Sequence, residues 1–281
     1  MNRLSDIKII IDRGCDRTSE RLQVNSGTVV LERSGLVQSE CPPNAFVPKQ
    51  DWRTLNSAEI EQSIISNDRI RSQNIGEYIG IIRVPNRLIS PLSNLAETII
   101  TDPERCEVDV RQVPSHPEYR SILKNISTYL QKYAIVPNEI VSEGIFHCNR
   151  LGLVTCTREG LHVDSWEKAP LRRRHLSKNR LCINIGRENR YFLFIDLSLM
   201  KMLELLQLST AIDISRYYRG AGLSEKFMET FPDYPVTKLA LNPGEAYMAP
   251  TENIIHDSSS LDKQELDFSL TFLGKFEIPS V

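Results

Sequence analysis

Beyond Pro137 the chain breaks into short runs, each closed by a turn: Gly144 to Asn149, Leu151 to Thr157, Arg180 to Ile185, Arg190 to Leu197, Lys238 to Leu241, Glu245 to Met248, Asn253 to Ile255 and Leu266 to Leu273. Runs this short, rich in β-branched and aromatic side chains, read as strands and not as helices. A succession of short strands exposes many edges unless the sheets close or stack on one another. The fold expected is mainly β with flanking helices, of the α+β class, a closed or sandwiched barrel whose mouth can hold a ligand.

The rest of the chain fits around that core. Lys8 to Ile11 and Thr28 to Leu31 read as peripheral strands, Ala58 to Ile65 as a short helix and Tyr78 to Val84 as a strand. From Pro117 to Tyr133 apolar residues recur every three or four positions, the spacing of an amphipathic helix. Ser115 with Glu118 fits a capping box at its start, and Pro117 is tolerated in the first turn. The organisation expected is one domain over 1–281: residues 1–137 pack strands and helices on the core, and 138–281 form it, with a helical insertion at 198–235.

Composition excludes several partners. A formal charge of −2 gives no basic footprint for nucleic acid. The opening residues hold an apolar run of three isoleucines, Ile9 to Ile11, too short for a signal peptide or a membrane span. A cytoplasmic protein acting on a small molecule is expected, with no membrane partner and with the oligomeric state left open. The six cysteines form no C-x-x-C pair and no disulfide framework, so they read as free thiols. The sequon Asn125-Ile126-Ser127 has no meaning without a secretory route.

Chemistry concentrates in Gly160-Leu161-His162-Val163-Asp164-Ser165-Trp166. Side chains at i and i+2 of a β run share a face, so the imidazole of His162 and the carboxylate of Asp164 point into one space. A bland reading of His162 as a hydrogen-bonded turn residue stands beside this. A third ligand, His256, arrives after the turn Asn242-Pro243-Gly244 and the run Glu245 to Pro250. Two imidazoles and one carboxylate make the facial triad that suits Fe(II) and leaves open positions, whereas structural zinc prefers four closed ligands, usually with thiolates.

H-x-D followed far downstream by a histidine on a β run resembles the iron(II)/2-oxoglutarate-dependent oxygenases of the cupin superfamily, over about residues 138–278. Gly244-x5-Pro250-x5-His256 is similar to the second cupin motif, with one extra residue between Pro and His and with Glu252 at its glycine. The resemblance implies a double-stranded β-helix (jelly-roll) core, with His162, Asp164 and His256 as iron ligands. It implies 2-oxoglutarate as cosubstrate, O2 as oxidant, and succinate and CO2 as products of hydroxylating an unactivated C–H bond. Asp164 favours hydroxylation over halogenation, because halogenating members lack that carboxylate.

Many members place an arginine shortly after the distal histidine to hold the far carboxylate of 2-oxoglutarate. Here that window is Leu266-Asp267-Phe268-Ser269-Leu270. Another branch supplies the basic residue from the strand after H-x-D, which makes Arg180 the anchor candidate, with Lys178 and Lys275 as substitutes. Asn184, on the face of Arg180 and Cys182, and Ser269 are the further cosubstrate contacts expected.

Between Asp164 and that strand, Leu171 to Arg180 crowds four arginines and a lysine, an anion-attracting run that is more often a solvated face. Ile214 to Gly222 joins aromatic and basic residues to glycines and reads as a lid over the site or as ordinary packing. His147, Trp166, Arg216 and Tyr217 are the substrate-contact candidates. The substrate expected is a polar small molecule, an amino acid or a natural-product intermediate. Two rival readings stay open: a cupin metalloenzyme that does not use 2-oxoglutarate, and a noncatalytic ligand-binding β-barrel.

Overall fold

The computed structural model describes residues 5–16, 19–36, 41–65, 75–102, 105–136, 144–208, 210–217 and 220–279. Among these the strands are β1 (Lys8–Ile11), β2 (Leu22–Val24), β3 (Thr28–Val30), β4 (Phe46–Pro48), β5 (Arg53–Thr54), β6 (Tyr78–Arg83), β7 (Ile145–Asn149), β8 (Asn179–Asn184), β9 (Arg190–Ser198), β10 (Thr237–Leu241), β11 (Glu245–Ala249), β12 (Ile254–Ser259) and β13 (Asp267–Gly274). The helices are α1 (Ser57–Ser63), α2 (Asn86–Ile99), α3 (Cys106–Asp109), α4 (Tyr119–Leu130), α5 (Leu199–Leu205), α6 (Ala211–Arg216) and α7 (Ala221–Thr230). The protein is thus sheet-rich α+β.

A six-stranded sheet runs β1-β6-β11-β8-β13-β7 and a five-stranded sheet runs β12-β9-β10-β2-β5. All neighbours are antiparallel except β1 and β6, which are parallel. Strand alternation builds the layers. In β9, Phe192 and Phe194 turn inward and join Ile79, Ile81 and Tyr247 of the six-stranded sheet in one apolar cluster, with Phe192 and Tyr247 stacked at 4.1 Å. Leu193, Ile195 and Leu197 turn outward, against Met202, Leu203 and Phe227 of α5 and α7. On the far side, Leu181, Ile183, Leu270 and Phe272 receive α2 and α4 through Leu92, Leu95, Ile122 and Ile126. Each apolar side chain so covered contributes about 1.5–3 kcal/mol, which makes these three layers the main stabilising element.

Two expectations need correction, and one helix is unexpected. Leu151 to Thr157 is not a strand: Gly152 takes φ +75, and the segment bonds irregularly to the end of β12 and the residue after it, Cys156 N–H to Ser258 O and Gly152 N–H to Ser260 O. The capping box at Ser115 and Glu118 does not form, since the Ser115 hydroxyl donates backward to Arg111 O. A reciprocal box caps α1 instead, with Asn56 Oδ1 accepting from Glu59 N–H and the Glu59 carboxylate from Asn56 N–H. Helix α2, absent from the sequence reading, carries Pro91 in its interior and is held by its buried face of Ile89, Leu92, Leu95 and Ala96. No helix among the described residues is long and apolar enough to cross a membrane.

Candidate metal centre

The H-x-D segment is zipped along the outer edge of β12. His162 N–H donates to His256 O at 3.1 Å, His256 N–H returns the bond to His162 O at 2.8 Å, and Asp164 N–H donates to Thr251 O at 3.0 Å. The segment therefore alternates like a strand without being one. Leu161 and Val163 join the apolar cluster under α7, and His162 and Asp164 turn the other way. The approach is fixed by Gly160 at φ +74, where a Cβ would stand 2.5 Å from Phe46 O. A register shift in β12 between Ile254 and His256 re-aims the second imidazole, a common use of bulges beside functional sites.

One ligand atom from each of His162, Asp164 and His256 lies within 4.8 Å of the others. His162 Nε2 is 3.6 Å from Asp164 Oδ1, and His256 Nε2 is 3.5 Å from Asp164 Oδ2. Each imidazole turns Nδ1 toward a backbone carbonyl, Gly160 O at 2.8 Å and Ile254 O at 3.4 Å. A carbonyl only accepts, so Nδ1 carries a proton in both rings; Nε2 of His256 presents its lone pair, and Nε2 of His162 does so once a cation displaces the second proton that Asp164 favours there. His256 Nε2 and Asp164 Oδ2 are buried without a hydrogen-bond partner, although Arg180 Nη2 stands 2.7 Å from that oxygen as an unaligned ion pair. Two orphaned atoms, one on an imidazole and one on a carboxylate, with His162 Nε2 converging on them, fit a divalent cation.

The charges are sorted accordingly. Burial alone would raise the Asp164 carboxyl, but His256, His162 and Arg180 outweigh it and hold the group well below the usual carboxylate range. Burial, with His162 and Arg180 nearby, pushes His256 down to about 3. Burial also works against His162, but the Asp164 hydrogen bond and the Asp257 charge carry it up to about 9.

His162 and His256 line a cleft of about 160 Å³ between the two sheets, together with His147, Arg180, Arg190, Tyr247, Ser258 and Ser269; Asp164 lies behind it, against Arg180. A second cavity of about 530 Å³ is also lined by His162, with Phe46, Arg158, Glu225 and Glu229. Of the cosubstrate candidates, Arg180 and Ser269 face the cleft. Asn184 does not line it: its amide donates to Glu188 O and Leu241 O and accepts from Gly186 N–H, which uses it up in the turn after β8. Lys178 is paired with Glu167 at 2.8 Å.

Of the substrate candidates, His147 lines the cleft, and Trp166 is 56% exposed with its ring 5.8 Å from the Arg180 guanidinium. Arg216 lines a surface hollow on α6 and Tyr217 packs beside Gly222, so neither reaches the triad. Tyr218 and Arg219 of the expected lid lie outside the described residues. In the basic run, Arg172, Arg173 and His175 are exposed, as a solvated face requires, and Arg174 is buried.

Sequence reasoning missed Arg190 and Ser258. Arg190 opens β9 in register with inward-facing Phe192 and Phe194, and a charge in that register is the signal that marks it. It pairs with buried Asp267 and donates to Ser258 Oγ at 3.2 Å.

No known protein family matches the chain, and no curated protein does. Solved structures that align with it include the Kdo hydroxylase KdoO, described as a non-heme Fe(II) alphaketoglutarate dependent dioxygenase. Its cobalt(II) complex is 14% identical with TM-score 0.40, and its complex with alphaketoglutarate and Fe(III) is 15% identical with TM-score 0.40. Both alignments cover 74% of this chain and 83% of that chain. At that level of likeness, function has to be read from the site itself.

Proposed function

We propose that the protein is an iron(II)/2-oxoglutarate-dependent oxygenase that hydroxylates an unactivated C–H bond of a polar small molecule, on a double-stranded β-helix formed by its two facing sheets. The observation that carries this reading is the convergence of His162 Nε2, His256 Nε2 and an Asp164 oxygen, two of them without hydrogen-bond partners, beside a cleft lined by both histidines and two guanidinium groups. His162, Asp164 and His256 would hold an iron with positions to spare for cosubstrate and oxygen. Iron and 2-oxoglutarate, when bound, supply the oxidising power.

The chain's own residues divide the remaining work. Ser258 follows His256 by two positions on one face of β12, a separation of about 6.5–7 Å. That is the reach of a five-carbon dicarboxylate held at its other end beside His256, so Arg190 with Ser258 is the proposed anchor for the far carboxylate, through charge-assisted bonds. Arg180 stands against Asp164 itself, too near the ligands to meet that far end, and acts on the ligand carboxylate. The adjoining cavity, with Arg158, Glu225 and Glu229 on its wall, has the size and polarity for a small polar substrate.

A second reading is favoured by the Arg190–Asp267 pair, which already gives that guanidinium a carboxylate: a metalloenzyme of the same fold that does not use 2-oxoglutarate. Anaerobic addition of Fe(II) and then 2-oxoglutarate separates the two. The first reading requires a visible charge-transfer band on the second addition and succinate on admitting air. Metal uptake with neither response selects the second reading, and no metal uptake removes both.

A further inference from the structure

Arg174 is 1% exposed, while Arg172 and Arg173 beside it are exposed. Its Nη1 donates to Asp164 O at 2.7 Å and to Glu252 O at 3.1 Å, and Nη2 donates to Ser165 Oγ at 2.9 Å. One guanidinium edge thus grips the backbone of a ligand residue and the backbone of the turn that delivers the other imidazole. The Glu252 side chain does not compete for that role, since its Oε1 accepts from Glu167 N–H at 2.7 Å. Gly220 closes over the group, where a Cβ would lie 3.3 Å from Cζ and Nη1.

Burying a guanidinium costs several kcal/mol, which a side chain chosen only for packing would avoid. What arginine adds is a planar fork with fixed donor directions, able to hold two carbonyls at a set spacing. Lysine carries the charge on a flexible stem without that fork. The segments it joins also meet through the His162–His256 backbone pair, the Asp164 N–H to Thr251 O bond and the Glu167 N–H to Glu252 Oε1 bond, none of which holds the Asp164 and Glu252 carbonyls together.

We propose that Arg174 is a positioning residue that sets the spacing of Asp164 relative to His256, and so the affinity and geometry of the metal site. This rests on the metal-binding reading above. The test compares the full-length wild type with Arg174→Met, Arg174→Lys and Ser165→Ala, using Co(II) as the probe. Affinity is read by calorimetry, ligand geometry by the visible d–d bands, and folding by the melting temperature of the metal-free protein.

Arg174→Met should weaken Co(II) binding about 10–100-fold and shift the bands, as loss of outer-shell partners does. Arg174→Lys should recover part of the affinity. Ser165→Ala, which leaves the core intact, should shift the bands slightly with an unchanged melting temperature. If the wild type binds Co(II) and the variants bind it within about twofold with identical spectra, the inference is overturned while the metal-binding reading stands. If Arg174→Met does not fold, the lysine and Ser165 variants decide by the same criterion. A wild type that binds no Co(II) overturns the metal-binding reading first.

Discussion

His162 and His256 exchange both backbone hydrogen bonds, at 3.1 and 2.8 Å, and their rings stand 4.6 Å apart between centroids. Two imidazoles far apart in the chain are thus registered by main-chain geometry, as the proposed metal site requires. This is how an antiparallel pair fixes side-chain spacing, and it relieves the site of a large reorganisation on binding.

Because His256 Nε2 is buried and without a hydrogen-bond partner, its replacement should be felt at the metal and much less in folding. His256→Ala is expected to weaken Co(II) binding by more than about 100-fold, beyond what outer-shell changes do. His147→Ala, in the same cleft but outside the triad, should leave it unchanged. Equal losses from the two would take His256 out of the ligand set.

The two guanidiniums of the cleft should separate in their effects. Arg190→Gln is expected to raise the 2-oxoglutarate concentration for half-maximal succinate release about 10–100-fold, the equivalent of one charged hydrogen-bond pair. Arg180→Gln removes the ion-pair partner of Asp164 and should change metal affinity more than 2-oxoglutarate affinity. The reverse assignment, read from the same two titrations, would return the anchor to Arg180.

The triad was legible in sequence because H-x-D spacing survives outside a regular strand: backbone bonds from His162 to His256 and from Asp164 to Thr251 hold the segment extended. The strands from β8 to β13 were legible from alternation and turns. What alternation cannot carry is partner choice. Nothing local says that β1 and β6, from the first third of the chain, extend the sheet that holds β8 and β13, or that β2 and β5 extend the sheet that holds His256. Arg174 was hidden for a related reason. It shares its run with exposed arginines, and only the fold distinguishes the one that reaches Asp164 O. Capping failed at Ser115 because a serine hydroxyl has a competing acceptor one turn back.

Asp267 carries two buried cations at once, Arg190 and, at 3.3 Å, Lys263, and also accepts from Asn149 at 2.7 Å. Burial would raise its carboxyl, but Arg190 and Lys263 outweigh burial and hold it below the usual range. Its stabilising contribution is therefore present above the ordinary carboxylate pKa and is lost as pH falls through the depressed one. Asp267→Asn leaves both cations uncompensated and should lower stability by about 3–5 kcal/mol in urea unfolding at pH 7. A loss under about 1 kcal/mol would show that solvent reaches the pair.

His147 gives the pH dependence a sign. Crowding by the cleft walls, then the charges of Arg190 and Arg180, push its imidazole down to about 4 from its ordinary 6.5, although one side of the ring stays open to solvent. Between those two values the unfolded chain binds the proton more readily than the fold does, so stability falls as pH drops from about 6.5 toward 4. His256 is depressed as well and contributes a slope of the same sign, so the wild-type profile alone does not isolate His147. The difference between wild type and His147→Gln does. Urea midpoints of the metal-free proteins measured from pH 4 to 8 should coincide at pH 8 apart from a constant offset, with the wild type falling more steeply below pH 6.5. Parallel profiles across that range would mean that the open side of the ring hydrates the imidazolium fully and that the two arginines do not act on it.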